Sequence, residues 1–156
     1  MWGRYPGASQ IKLHKQINLG LDLQGGIHLV KPNLEELSEL LKKPVTNDPE
    51  KLISAARTLC DRVQIILVSL GAEGAVMVNK DTAIHAKAVN LTLPVVNTVG
   101  CGDYLLAGYL AGSHLDMSEQ LAAAVKAATA KALALVETSS WPQVQEEIDI
   151  EIHTYR

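Results

Sequence analysis

Clustered basic charge is missing from this chain, and with it the usual footprint of a nucleic-acid surface. Fourteen lysines and arginines stand against 17 aspartates and glutamates, for a net charge of -3 and a pI near 5.9. Apart from the pair Lys42-Lys43 the cations are scattered, so nucleic acid is not the expected partner. Cysteine is scarce as well. Cys60 sits in a helix-like run and Cys101 in a glycine-rich corner, which is no disulfide framework, and no close Cys/His pair has zinc spacing. A reducing cytoplasm fits best. No apolar run approaches the roughly 18–20 residues of a membrane span. The opening Met1-Trp-Gly-Arg-Tyr-Pro-Gly7 lacks the apolar core of a signal peptide, so no membrane association is expected.

What is present suits one globular domain: 156 residues, 47% hydrophobic and 20% charged, are enough for a real core. Residues 1–16 mix Gly, Pro, Lys and His without periodicity and read as a lead-in. Ile17, Leu19, Leu21 and Leu23 alternate as in a half-buried strand, and Gln24-Gly25-Gly26 then break the run before Ile27–Val30, a pattern that suggests a hairpin. Lys31-Pro-Asn-Leu-Glu-Glu36 follows. Pro32 keeps Lys31 out of helical conformation, Asn33 is a good N-cap with Glu36 as its capping-box partner, and Leu34, Leu37, Leu40 and Leu41 share one helical face. A second helix carries Leu52, Ile53, Ala56, Leu59 and Cys60. Val63–Ser69 is nearly continuously apolar, as in a parallel strand covered on both faces. It ends in Ser69-Leu-Gly-Ala-Glu-Gly74, which is either a hairpin turn or a loop whose two glycines let a phosphate-bearing ligand approach the backbone. Ala75–Val78 and Thr82–Val89 read as a hairpin with His85 and Lys87 outward and solvated. Asp116-x-x-Glu119 opens an Ala-rich helix reaching to about Val136, its small residues suited to close packing or to contact with a flat ligand such as adenine. Trp141-Pro142 opens a short helix, and Ile148, Ile150 and Ile152 alternate like a closing strand.

The chain is organised around Val95–Gly112: an extended apolar run, a glycine corner, an acidic residue and an apolar helix. Gly100 and Gly102 permit backbone conformations that let the intervening amides turn toward one point. A helix starting there would add free N–H groups and a positive dipole end, so the corner is either a tight turn opening a helix or an anion site. At an anion site Asp103 would repel the guest unless it works as a base on an attacking hydroxyl.

Asn97-Thr98-Val99-Gly100-Cys101-Gly102-Asp103 resembles the second signature of the ribokinase-like (PfkB) carbohydrate kinases. The Asn-Thr-Val opening is closest to the branch that phosphorylates phosphosugars, such as 1-phosphofructokinase and tagatose-6-phosphate kinase. Lys31-Pro-Asn-x-x-Glu36 resembles the family's Asn-x-x-Glu motif and Ser69–Gly74 its nucleotide loop, and the three stand in the family's order. The resemblance implies an α/β, ribokinase-like three-layer fold with a largely parallel sheet flanked by helices. It implies ATP and Mg2+, with Asp103 as base and the amides of Gly100, Cys101 and Gly102 as an anion hole. Cys101 replaces the usual alanine. Glu36 would organise the magnesium. Lys31, Asn33, Ser69, Leu70, Gly71, Ala72, Glu73, Gly74, Asn97, Thr98 and Gly102 would contact the nucleotide.

The family's N-terminal portion, with its first signature, most sugar-binding residues and lid strands, has no counterpart here. The expected organisation is an extension over residues 1–30 and the ATP-binding C-terminal part of a kinase domain over 31–156. The expected function is phosphoryl transfer to a sugar or sugar-phosphate hydroxyl, incomplete without the sugar-binding part. The alternative is a non-catalytic remnant that binds nucleotide or self-associates. A second copy or a partner chain is expected to cover the open sheet edge. Residues 17–30 also resemble a short segment of SecD, a membrane protein of the export machinery whose membrane spans this chain lacks.

Overall fold

The computed structural model describes residues 21–23 and 27–156. The lead-in, Ile17, Leu19 and the Gln24–Gly26 turn lie outside the described residues. The strands are β1 (Leu21–Leu23), β2 (Ile27–Val30), β3 (Ile65–Ser69), β4 (Ala75–Val78), β5 (Ala83–Val89) and β6 (Asp149–Tyr155). The helices are α1 (Leu34–Leu41), α2 (Pro49–Arg57), α3 (Cys101–Ala111), α4 (Met117–Ala132) and α5 (Trp141–Glu147).

The strands form one six-stranded sheet in the order β1-β2-β3-β4-β5-β6. β1 and β2 make the hairpin that the leucine alternation suggests, with Leu21 opposite Leu29 and Leu23 opposite Ile27. β2 and β3 run parallel, joined by the crossover through α1 and α2. The remaining pairs are antiparallel, so a largely parallel sheet is not what forms. For β3–β4 and β4–β5 the reason lies in the connections. Leu70–Gly74 between β3 and β4, and Asn79–Thr82 between β4 and β5, are tight turns, and a parallel pair needs a crossover of a dozen residues or more.

Strand alternation divides the core into two layers. Leu29, Leu67, Ala75, Met77, Ile84 and Ala86 face Leu105 and Tyr109 of α3 and Leu121, Ala124 and Val125 of α4. Ile66, Val68, Val76, Val78 and Ala83 face Leu37 of α1 and Leu52, Ile53, Ala56 and Cys60 on and just after α2. Each fully buried large side chain stabilises the fold by about 1.5–3 kcal/mol. Against α4 the apolar α3 packs closely, because a Cβ on Gly108 would stand 2.8 Å from Ala123 O and 2.8 Å from Ala127 Cβ. The small residues of α4 therefore serve helix packing.

Capping follows the sequence at two helices, where Asn33 and Glu36, and Asp116 and Glu119, form reciprocal boxes. At α5 Gln143 Oε1 accepts from both the amide and the hydroxyl of Ser140. α4 stops at Ala132, short of Val136, because Ala134 takes a left-handed φ of 58 and starts a 3-10 turn over Leu135–Glu137. The apolar run Val95–Val99 joins no strand: Val95, Val96 and Val99 are 60%, 66% and 76% exposed.

Candidate active site

The first element of the site is the end of β2. Pro32 is buried and directs the chain into α1. Asn33 Oδ1 accepts from the Glu36 amide at 2.8 Å, and Glu36 Oε2 accepts from the Asn33 amide at 2.9 Å. Half of the Glu36 carboxylate is thus spent on the cap. The Ser69 amide donates to Pro32 O at 3.0 Å, and Asn33 bridges to Ser69. The strand-to-helix junction and the Ser69–Gly74 loop therefore lie side by side, around an open cleft of about 260 Å³ lined by Asn33, Leu34, Glu35, Asn47, Ser69, Leu70 and Gly71.

The loop is a 3-10 turn over Gly71–Glu73 closed by a 2.8 Å bond from the Leu70 amide to Gly74 O. Strand β5 braces it: His85 Nε2 donates to Glu73 O at 2.7 Å and Lys87 Nζ bonds Glu73 Oε2 at 2.7 Å. His85 and Lys87 are thus not simply solvated, because the loop folds back over their face of the hairpin. The Lys87 hydrogen bond, aided by its charge, holds the Glu73 carboxyl below the usual glutamate range. Gly71 has φ +60 and nothing within 4 Å of a notional Cβ, which leaves its backbone approachable. Gly74 differs. With φ +82 and a Cβ position 2.0 Å from Ala86 O, it exists to let the loop touch β5. The spacing of the two glycines does not reveal that division.

The second element is the corner itself. Gly100 has a left-handed φ of 83, and α3 begins at Cys101. The Cys101 amide donates to Thr98 O at 3.2 Å, and those of Asp103 and Tyr104 to Gly100 O at 3.1 Å each. The amides of Gly100 and Gly102 have no acceptor among the described residues. A three-amide hole is therefore reduced to two, since the turn that opens the helix engages Cys101. Asn97 Oδ1 accepts from the Val99 amide at 2.9 Å, and the amides of Val96 and Asn97 both bond Ala132 O. Asn97 and Thr98 thus shape the turn and tie it to the end of α4. Asp103 occupies the first turn of α3 and is exposed.

Lys31 joins the two elements. Its Nζ lies 3.1 Å from the Cβ position of Gly102, although the two residues are far apart in sequence. From the other side, Lys131 of α4 brings its Cε to 3.8 Å from the Cβ position of Gly100. Neither ammonium has a hydrogen-bond or ion-pair partner among the described residues. Burial pushes the Cys101 thiol up, and Lys131 partly offsets that. The structure brings Lys31, Asn33, Ser69, Gly71, Gly100, Gly102 and Asp103 to one end of the sheet. It turns Glu73 and Gly74 toward β5 and leaves Ala72 exposed. Lys131 is the side chain near this corner that sequence reasoning missed. Its only signal is a lysine in the last turn of an Ala-rich helix.

Residues 13–143 match the pfkB family carbohydrate kinases. A 1-phosphofructokinase from Haloferax volcanii is 29% identical over 132 residues, 85% of this chain and 43% of the relative. A tagatose-6-phosphate kinase from Staphylococcus epidermidis is 38% identical over 95 residues, 60% of this chain and 30% of the relative. The crystal structure of phosphofructokinase-2 from Escherichia coli in complex with substrates and products superposes with a TM-score of 0.61 at 28% identity, covering 67% of this chain and 34% of the other. The chain spans less than half the length of each of these relatives. With its motifs on one ribokinase-like scaffold and the family match running over most of its length, the chain belongs to the PfkB family of carbohydrate kinases.

Proposed function

We propose that this chain is the nucleotide-and-base part of a sugar-phosphate kinase, with ATP as donor and a phosphosugar hydroxyl as acceptor. The observation that carries the reading is the Lys31 ammonium 3.1 Å from the Cβ position of Gly102. It puts a cation, two amides without acceptors and the first turn of a helix around one point, where a phosphate is the fitting guest. Nucleotide binding draws on the cleft beside Asn33, Ser69 and Gly71. Asp103 takes the proton of the acceptor hydroxyl as its oxygen bonds to the γ-phosphorus, while the bond to the ADP oxygen breaks. Lys31 and the amides of Gly100 and Gly102 hold the phosphoryl oxygens.

Glu36 fits a role near magnesium. Oε2 accepts from the Asn33 amide, and Oε1 has no protein partner among the described residues, so it can hold a water of a hydrated ion. When bound, the ion neutralises phosphate charge.

Titration calorimetry with Mg-ATP is expected to show micromolar to millimolar binding, about 4–8 kcal/mol. A coupled assay on fructose 1-phosphate, fructose 6-phosphate and tagatose 6-phosphate then tests transfer. Absence of Mg-ATP binding overturns the reading. A second reading, a nucleotide binder without transfer, is favoured by the openness of the corner: Asp103, Tyr104 and the Val95–Val99 run all face water. Phosphoryl transfer to a sugar needs water excluded. Binding with no transfer to any of the three acceptors selects it.

A further inference from the structure

The corner carries more positive charge than the family motifs account for. Lys131 belongs to none of them, yet it reaches Gly100 from α4 as Lys31 reaches Gly102 from β2. The approach is built in, because Ala132, next to Lys131, accepts both the Val96 and the Asn97 amide and so fixes the corner to the end of the helix. The other lysines of this half of the molecule are engaged: Lys126 Nζ donates to Gln145 O at 2.6 Å and Lys87 to Glu73 at 2.7 Å. Lys131 has no acceptor among the described residues. Two ammonium groups at one corner repel each other, and the acidic side chain of that turn is Asp103 alone. Such a corner is balanced by a guest with several negative charges.

We infer that Lys131 is a second phosphate-binding cation of the site, contacting the polyphosphate of the nucleotide opposite Lys31. The inference rests on the nucleotide reading above and adds a residue to it. A lysine in a last helical turn also complements the helix dipole, but that role acts on stability and not on ligand affinity.

The test titrates the full chain and its variants with Mg-ATP and with inorganic tripolyphosphate, which lacks the nucleoside. Lys131→Met is expected to weaken both by roughly tenfold or more, as loss of a charge-assisted contact does. Lys131→Arg retains most of the affinity, and Lys126→Met on the same helix leaves it unchanged. Lys131→Met that binds both probes as tightly as the parent overturns the inference while leaving the kinase reading intact. A parent that binds neither probe overturns both. Cys101 supplies an independent readout of position. Its thiol is flanked by Lys131, with Lys31 and Asp103 at the same turn. Alkylation near pH 8 is expected to slow in Lys131→Met, since a nearby cation favours the thiolate, and to slow in the parent when tripolyphosphate occupies the corner. An alkylation rate indifferent to both changes means that Lys131 does not stand at Gly100, and the inference falls. Circular dichroism of each variant separates these outcomes from misfolding.

Discussion

At the scale of single residues, Asp103 and Gly74 make opposite demands on a mutation experiment. If the chain turns over, Asp103→Asn is expected to lower the rate by roughly 10²–10⁴ with Mg-ATP affinity equal or slightly tighter, since a base and a like charge leave together. An Asn variant of undiminished rate removes the base assignment. Gly74→Ala puts a Cβ into the Ala86 carbonyl at a positive φ, and a loss of about 3 kcal/mol or more is expected. Gly71→Ala meets no atom within 4 Å, so its cost is confined to the left-handed backbone, about 1–2 kcal/mol. Urea titrations of the pair check the contrast. Equal losses would mean that Gly74 is not held against β5. The Asn33–Glu36 box was readable because both partners lie within one helical turn. Gly74 and Lys131 were not, since the atoms that give them meaning come from β5 and from the corner.

Between elements, α3 and α4 cross closely at Gly108. Gly108→Leu must displace Ala123, Ala124 and Ala127 or push the helices apart, and α3 carries Asp103 on its first turn. We expect about 3 kcal/mol of destabilisation by thermal melt, with weaker Mg-ATP binding in whatever remains folded. Normal stability would show that α3 can slide on α4. Helices and strands were legible here wherever caps and alternation were local. The β4–β5 hairpin is legible in the chain itself, whereas the largely parallel sheet came from the motif resemblance and gives way to the short Leu70–Gly74 and Asn79–Thr82 connections, whose length favours hairpins. The Val95–Val99 run reads as extended and apolar, and its valines lie exposed in the described structure. What an apolar run packs against is not written in the run itself.

For the molecule as a whole, β1 and β6 are the open edges of the sheet. The segment before α3 also exposes Leu91, Leu93, Val95, Val96 and Val99. Such a surface favours association, and the chain is expected to be a dimer or larger at micromolar concentration by light scattering. Deleting residues 1–24 removes β1 and bares β2, and should make the protein aggregate or unfold. A parent monomeric at all concentrations, with an equally stable truncation, excludes this role for the hairpin. The same sheet has a kinetic side. Every hydrogen-bonded strand neighbour is also the next strand along the chain, and the pairings of β1 with β2, β3 with β4 and β4 with β5 close only short loops. The exceptions are the join of β2 to β3, where α1 and α2 intervene, and the longer join of β5 to β6, where α3, α4 and α5 intervene. In stopped-flow refolding, Leu52→Ala or Ile66→Val in the β2–β3 crossover should slow folding, whereas Ile152→Ala in β6 should chiefly hasten unfolding. The chain would then assemble in the order in which it leaves the ribosome, with one slow step at the β2–β3 crossover and a second when the last strand, after α3, α4 and α5, is added to a sheet already formed.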